Sequence, residues 1–122
     1  ICIKALGNQP GIYSARWAKK HGSFLNAMKY ILRKMRTKKD RSATFVCSLS
    51  FKYPKKKIIT VIGKIKGKIS YKIRGNRGFG YDPIFIPRSK TFTFGEISKF
   101  KKINMDHRYI AFKKLKNKIK IL

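Results

Sequence analysis

The sequence predicts a single domain of mixed α/β class over residues 1–122, and three observations predict it. A length of 122 residues is typical of one domain. The hydrophobic fraction of 43% indicates a chain that folds around a core. Segments of alternating apolar residues, typical of strands, are interleaved with segments whose apolar residues recur at helical spacing. The order strand, helix, three strands and helix favours an α+β or mixed α/β fold.

The first half of the chain supplies a strand, a helix and a second strand. Ser23 is suited to cap the N-terminus of the helix, and Gly22 before it ends the preceding segment. After Ser23, apolar residues fall three or four positions apart, which predicts an amphipathic helix. The predicted elements are a strand (1–6), a turn (7–11), a loop or short helix (12–22), the amphipathic helix (24–36) and a strand (43–51).

The second half supplies a hairpin, a glycine-rich loop and a second helix. Two β-branched segments flank Lys66-Gly67, and this dipeptide predicts the turn of a hairpin. The last helix is amphipathic, with Ile110, Leu115 and Ile119 near one face and Phe112 beside them. The predicted elements are two hairpin strands (58–65 and 68–73), a loop (74–83), a short strand (84–86), a mixed and partly helical segment (91–108) and the helix (107–119).

The charge of the chain is extreme, with 32 lysine and arginine residues against 4 acidic residues and a formal net charge of +28. One interpretation is a polyanionic partner, such as a nucleic acid or a nucleotide. The other is a set of solvated faces, because the lysines are spread along the whole chain rather than gathered in a tail. Composition alone leaves both interpretations open.

No segment of the sequence resembles a membrane span or a signal peptide. Cys2 and Cys47 lie in apolar alternating segments, which predicts two buried free thiols. Without a CxxC pair, a zinc site is not expected. We therefore expect a cytoplasmic protein without a membrane partner.

The four acidic residues are spread through the sequence as Asp40, Asp82, Glu96 and Asp106. A Mg²⁺ site for phosphate chemistry usually needs one or two carboxylates together with substrate oxygens, and only the fold can bring these residues together. The segment GNRGFG lacks the GK[ST] ending of a Walker loop. From its residues alone, the chain resembles a binding surface more than a complete catalyst.

The loop 75–83 is the first candidate binding cluster. Its three glycines allow a ligand to approach the backbone closely, and Phe79 and Tyr81 offer ring faces on which a base can stack. Asp82 can accept a hydrogen bond from a base edge or orient a lysine. The alternative is a glycine-rich turn with core aromatic residues and a capping aspartate.

The segment KINMDHR (102–108) is the second candidate cluster. His107 and Arg108 open the last helix, where free backbone N–H groups and the helix dipole favour anions or carbonyl oxygens. Asp106 is a plausible N-cap for this helix. The alternative is a capped helix start with solvated charges.

Several motifs occur together and in order, and their combination resembles one family. They are ALGNQPGIYSARWA (5–18), ATFVCSLSF (43–51), GFGYDPIF (78–85), Glu96, Lys102 and the pair His107-Arg108. The chain resembles the inosine/xanthosine triphosphate pyrophosphatases over essentially its whole length. PGIYSAR and GFGYDPIF are the specific motifs, and the ordered set is more specific than either.

The resemblance implies a long, bent, mixed β-sheet flanked by helices, with two lobes, in a protein that usually forms a homodimer. It also implies Mg²⁺-dependent hydrolysis of ITP, dITP or XTP to the monophosphate and pyrophosphate, which removes deaminated purines from the nucleotide pool. The substrate-binding residues that it implies are Phe79, Gly80, Tyr81, Asp82, Lys102, His107 and Arg108. In this interpretation Phe79 stacks on the purine, and His107 and Arg108 donate to its 6-keto oxygen.

The sequence departs from the family pattern in two places. Asp106 stands where a serine usually precedes the His-Arg pair. The phosphate loop and the Asp-Asp-Ser-Gly motif, which supplies a metal ligand and the proposed general base, are not present, and Ile1 aligns just after that motif. We therefore expect the C-terminal, base-recognising portion of the domain, with no catalytic residue or metal ligand of its own. A basic nucleic-acid-binding module and an inactive dimerising remnant are the alternatives.

Overall fold

The computed structural model describes residues 1–121, except for the side chain of Ile121. Within this part of the chain, five strands form one sheet in the order β2-β1-β3-β4-β5, accompanied by four α-helices. The strands are β1 (Cys2–Ile3), β2 (Gln9–Pro10), β3 (Ser42–Lys52), β4 (Ile58–Ile69) and β5 (Phe85–Pro87). The helices are α1 (Ser14–His21), α2 (Phe24–Met35), α3 (Lys99–Lys102) and α4 (His107–Ile121).

The predicted α/β class is confirmed, and the sheet is simpler than the resemblance implied. All four pairings between the described strands are antiparallel, so the mixed character is not seen among them. The two long strands, β3 and β4, are joined by the short loop 53–57, and a short connection favours antiparallel pairing. The sheet therefore has one long hairpin at its centre and short strands at both sides.

The predicted hairpin at Lys66-Gly67 is wrong, because β4 runs straight through this dipeptide. β3 and β4 pair over their full lengths, and the loop 53–57 makes the turn. The glycine permits a close approach instead. A Cβ at Gly67 would collide with the carbonyl oxygen of Ile86 and would lie 2.7 Å from the ring of Phe85. Glycine is required here so that β5 can pack beside β4.

Helix α2 begins where the sequence predicts. The hydroxyl of Ser23 accepts a hydrogen bond from the backbone N–H of Asn26 at 3.0 Å, which caps the helix. Gly22, with φ +93°, ends α1 in the left-handed conformation that suits glycine. The buried face of α2 consists of Ala27, Met28, Ile31 and Met35. Phe24, at the start of the helix, is 40% exposed.

The core lies between one face of the sheet and α2. At its centre, the ring centroids of Phe45 and Phe85 are 4.3 Å apart, and those of Phe85 and Phe94 are 5.6 Å apart. Aromatic pairs in such tilted or offset arrangements stabilise beyond their buried area. Because Phe85 belongs to β5, this cluster fixes the glycine-rich loop before β5 against the sheet.

Helix α4 packs on β4 at a glycine. A Cβ at Gly63 would collide with the carbonyl oxygen of His107 and the backbone nitrogen of Ala111. Ala111 is fully buried at this contact, where only a small side chain fits between the two backbones. The apolar face that the sequence predicts for α4 is less buried than expected. Ile110, Leu115 and Ile119 are half-buried, and Phe112 is 57% exposed.

The predictions for the two cysteines and for the segment 91–108 are confirmed only in part. Cys2 and Cys47 are free, but both are half-buried rather than buried. Within the segment 91–108, only the single turn α3 and the first residues of α4 are α-helical. None of the helices in the described chain combines the length and the apolar character that crossing a membrane requires.

Candidate functional site

The glycine-rich loop closes around the carboxylate of Asp82. Its Oδ2 accepts a hydrogen bond from the backbone N–H of Phe79 at 2.9 Å and another from Nζ of Lys102 at 2.7 Å. Gly78 has φ +75°, and a Cβ there would collide with the same oxygen. Asp82 is only 2% exposed. The acid in this loop is therefore an internal anchor, which fits the orienting role predicted from the sequence.

Lys102 is held between two carboxylates. It ends α3, a short helix that Ser98 caps by accepting from the N–H of Lys101 at 3.2 Å. The ammonium lies 2.7 Å from Oδ2 of Asp82 and 4.0 Å from Oδ2 of Asp106. All three side chains are buried, so the cluster holds two carboxyl groups and one amino group away from bulk water.

Phe79 is a half-exposed aromatic residue of this site. Its ring is 51% exposed, and the ammonium of Lys102 lies 4.2 Å from the ring centroid. The guanidinium carbon of Arg108 lies 4.0 Å from the same centroid. Two cations at this distance are attracted to the ring and restrict its position. Three of the predicted residues, from three different elements, therefore meet at one ring.

Asp106 caps α4, as the sequence predicts. Its Oδ1 accepts a hydrogen bond from the backbone N–H of Tyr109 at 2.9 Å. The other carboxylate oxygen faces Lys102. One side chain thus links the start of α4 to the end of α3. The serine of the family pattern has only one side-chain oxygen and could not make both contacts.

His107 is a buried, neutral histidine. It is 9% exposed, and its ring stacks on Phe45 with a centroid distance of 5.0 Å and an interplanar angle of 18°. Burial lowers the pKa of His107 from 6.5 to about 4, against a smaller opposing effect of Asp106. Its Nδ1 is buried and has no hydrogen-bond partner among the described residues. At neutral pH the ring therefore carries one proton and no charge.

The ring of Tyr81 is not open to a ligand, so the predicted stacking face is wrong for this residue. Tyr81 is 3% exposed, and its hydroxyl donates to the carbonyl oxygen of Ser14 at 2.6 Å. Its ring packs edge-on against Phe24 with a centroid distance of 5.3 Å. Burial raises the pKa of Tyr81 to about 12. Tyr81 and Gly80 (φ +61°) therefore contribute to the conformation of the loop and do not line the cleft beside Phe79.

The open space beside Phe79 is a cleft of about 490 Å³ between the loop, α3 and α4. Of the predicted residues, Phe79, Lys102 and Arg108 line it, while Asp82 and His107 are buried nearby. Sequence analysis missed further lining residues, namely Lys99, Ile103, Asn104, Tyr109 and Phe112. Phe112 follows Arg108 by four positions, so helical spacing places both side chains on one face.

The described acidic residues offer no evident magnesium site. Among residues 1–120, no three His, Cys, Asp or Glu side chains come together as a metal site would require. Asp82 and Asp106 both face Lys102. Glu96 pairs with Arg74 at 2.8 Å, and Asp40 lies 3.8 Å from Lys4. The Mg²⁺ that the resemblance implies does not fit these carboxylates, and we assign it no step here.

The sheet order, the capped helix pair and the anchored loop agree with the mixed α/β fold that the sequence motifs predict. A sequence profile of the Ham1 family matches residues 1–118, so the chain belongs to the Ham1 family.

Curated relatives agree with this assignment. The dITP/XTP pyrophosphatase of Clostridium tetani is 37% identical over 98% of this chain. The dITP/XTP pyrophosphatase of Caulobacter vibrioides is 41% identical over 95% of it. The chain covers 60% and 61% of those two proteins, so it spans about three-fifths of the length of the curated relatives it matches.

Solved structures share the fold. The Ham1 protein of Staphylococcus aureus superposes with a TM-score of 0.90 and 35% identity, covering 97% of this chain and 62% of that protein. A Ham1 protein of Coxiella burnetii gives the same TM-score with 30% identity, covering 99% of this chain and 64% of the other.

Proposed function

We propose that this chain forms the base-recognising part of an enzyme that hydrolyses ITP, dITP and XTP to the monophosphate and pyrophosphate. The observation that carries the proposal is the meeting of Phe79, Lys102 and Arg108 on one cleft, beside a neutral His107. Relatives at 37% and 41% identity are named dITP/XTP pyrophosphatases, which supports it. Such an enzyme removes deaminated purines from the nucleotide pool.

Phe79 provides the stacking surface in this proposal. Its half-exposed ring is restrained by Lys102 and Arg108, so little side-chain freedom is lost when a purine binds. Stacking of a base on an aromatic side chain contributes about 1–3 kcal/mol. Asp82 acts indirectly, because it holds both the loop backbone and Lys102 in place.

His107 and Arg108 provide the selectivity for a 6-keto purine. Arginine can only donate hydrogen bonds, and a neutral histidine donates from one ring nitrogen. Because Nδ1 is buried without an acceptor, we place the proton of His107 on Nε2, which can then donate to the base. Hypoxanthine and xanthine accept at O6, whereas the amino group of adenine would leave these donors unpaired. Sites built on such hydrogen bonds discriminate by about 10⁴-fold or more.

The remaining properties of the whole enzyme are also proposals. We propose a Mg²⁺ cofactor, a homodimer and a cytoplasmic location, in keeping with the family resemblance. We further propose that residues 1–122 alone bind the nucleotide without hydrolysing it. The carboxylates nearest to the cleft are engaged with Lys102, which supports this division between binding and catalysis.

Titration calorimetry of the 122-residue chain with ITP and ATP tests the proposal. We expect ITP to bind and ATP to bind far more weakly. Arg108→Met and Phe79→Leu should each weaken ITP binding about tenfold or more, since each removes one direct contact. The matched controls are Lys116→Met and Phe100→Leu, which change exposed residues outside the cleft. Equal affinity for ITP and ATP would overturn the proposed base recognition.

Two further measurements address the activity and the assembly. Pyrophosphate release from ITP with Mg²⁺ should not be detected for residues 1–122 alone. Turnover by this chain would place catalytic groups among the residues described here. Sedimentation velocity should give the mass of a dimer, and a monomer at all concentrations would contradict the proposed homodimer.

A further inference from the structure

A second concave surface lies away from the nucleotide cleft, at the C-terminal end of α2. Two adjoining cavities, of about 360 and 960 Å³, share Arg41 and Tyr71, and we call them together the basic groove. No residue of the groove lines the cleft beside Phe79. Its other cationic side chains include Lys29, Arg33 and Arg36 at one end and Lys39, Lys68 and Lys72 at the other.

The groove concentrates positive charge that the nearby carboxylates balance only in small part. Asp40 is the only acidic residue among those that line the two cavities. The carboxylate of Glu96 is already paired with Arg74 at 2.8 Å. A concave surface lined by charges of one sign focuses its field, which raises the local concentration of an anionic partner. The groove is therefore suited to several phosphate groups at once.

Arg41 is a buried residue where the two cavities of the groove meet. Its guanidinium donates to the carbonyl oxygens of Ile69 at 2.8 Å, Met35 at 3.0 Å and Ser70 at 2.7 Å. The side chain is only 8% exposed, so this charge is held rigidly by backbone groups of α2 and of the segment that ends β4. These three contacts form without a ligand, and they hold the face of the guanidinium against the ring of Tyr71.

Tyr71 lies against this guanidinium and faces solvent. The guanidinium carbon of Arg41 is 4.2 Å from the centroid of the Tyr71 ring, and the tyrosine is 84% exposed. A cation–π contact restrains the ring while leaving most of its surface uncovered. Two arms of cations flank this ring, with Lys29, Arg33 and Arg36 in one arm and Lys39, Lys68 and Lys72 in the other. A restrained, exposed ring between such arms is suited to single-stranded nucleic acid, with bases on the ring and phosphates on the arms.

We propose that the basic groove binds single-stranded nucleic acid, with Tyr71 stacking on an unpaired base. The groove is concave, which fits a flexible strand better than a flat membrane surface. Stacking on Tyr71 requires a base that is not already paired in a duplex. This binding is independent of the nucleotide cleft, so either proposal can fail without the other.

Fluorescence anisotropy with a labelled twelve-nucleotide oligo-uridine tests the groove. We expect Tyr71→Ala to weaken binding by roughly tenfold and Tyr71→Phe to restore it, because the phenylalanine ring still stacks. Phe100→Ala is the control, since Phe100 is 87% exposed but lies outside the groove. ITP at millimolar concentration should not displace the strand beyond its effect on ionic strength.

The salt dependence tests the arms. The variant Arg33→Gln/Arg36→Gln should reduce the slope of log affinity against log salt by about 1.4, as expected for two lost phosphate contacts on a single strand. Lys116→Gln/Lys120→Gln removes the same charge from α4 and should leave the slope nearly unchanged. An equal loss in both variants would mean that the whole surface binds non-specifically. Tighter binding of duplex, equal competition by inorganic polyphosphate or no effect of Tyr71→Ala would each overturn the proposal.

Discussion

The ammonium of Lys102 lies 2.7 Å from Oδ2 of Asp82, and the two side chains are 7% and 3% exposed. This pair joins the glycine-rich loop to α3, two segments that are 20 residues apart in the sequence. A buried ion pair of this kind is strongly destabilising to break from one side, because the remaining charge is left in a poorly solvated place.

Asp82→Asn should therefore lower the free energy of unfolding by about 3–5 kcal/mol. The asparagine keeps the shape of the side chain but leaves Lys102 with only the more distant Asp106. The double variant Asp82→Asn/Lys102→Met should recover part of this loss, since it removes the stranded charge as well. Urea unfolding followed by circular dichroism measures both, with the exposed Asp40→Asn as a control. A change at Asp82 no larger than the change at Asp40 would contradict the anchoring role.

Gly63→Ala should destabilise the protein by about 1–3 kcal/mol, as expected for an overpacked contact. The added methyl group would collide with the backbone of α4 at His107 and Ala111. Helix α4 must then move away from β4, and its first turn carries two of the proposed nucleotide contacts. We expect thermal denaturation to occur at a lower temperature and ITP affinity to fall. Ser48→Ala, at an exposed position of β3, is the control. Unchanged stability and affinity would show that the strand does not set the position of the helix.

The stability of the protein should rise with pH between about 4 and 6.5 because of His107. Burial lowers the pKa of His107 to about 4 in the folded protein, from 6.5 when the residue is exposed. In this window the unfolded chain binds the proton and the folded chain does not, so acidification favours unfolding. Above pH 6.5 the contribution is complete, and a shift of this size sets an upper limit of about 3 kcal/mol for it.

Chemical denaturation at several pH values checks this dependence in His107→Gln and in His21→Gln, the only other histidine of the chain. The first variant should flatten the rise between pH 4 and 6.5, and the second should keep it. If both variants retain the full slope, the buried neutral state of His107 is not its cause.

Arg41→Met should cost about 2–4 kcal/mol of stability, because three carbonyl oxygens lose a charged donor. One of them, on Met35, belongs to the last turn of α2, where free carbonyl groups need partners. Arg36→Met is the matched control, since Arg36 is exposed beside it. Comparable midpoints of unfolding for the two variants would argue against this role of Arg41.

Asp106→Ser should keep the cap of α4 and strengthen ITP binding severalfold. Serine is as good an N-cap as aspartate, so stability should change by less than about 1 kcal/mol. The second carboxylate beside Lys102 is lost, which makes the cleft more favourable for an anionic nucleotide. Asp106→Ala removes the cap as well and should destabilise by about 1 kcal/mol. Weaker ITP binding in Asp106→Ser would show that this carboxylate helps to hold the nucleotide.

Local sequence patterns predict the helices of this fold better than its sheet. Ser23 and Asp106 cap helices because the chemistry of a cap is contained within four residues. Gly67 misleads because a glycine that permits close packing and a glycine that makes a turn look alike in sequence. The two kinds of glycine are distinguished only by the fold, which places β5 directly against Gly67.

The candidate site shows the same division. The contact between Lys102 and Asp82 is one of two roles that the sequence allows for Asp82, and the structure contains this contact. The ring of Tyr81 looked as accessible as that of Phe79, since their neighbours in the sequence are similar. Its burial depends on Ser14 and Phe24, which only the fold brings near.

The four carboxylates of the described chain are all within 4.0 Å of a lysine or arginine nitrogen. With 32 lysine and arginine residues against 4 acidic residues, most cationic side chains therefore have no acidic side chain to pair with. Buffer anions then stabilise the folded state, because they gather more densely around the compact chain than around the unfolded one. Added salt should stabilise this protein, whereas it weakens the surface ion pairs of proteins with balanced charge.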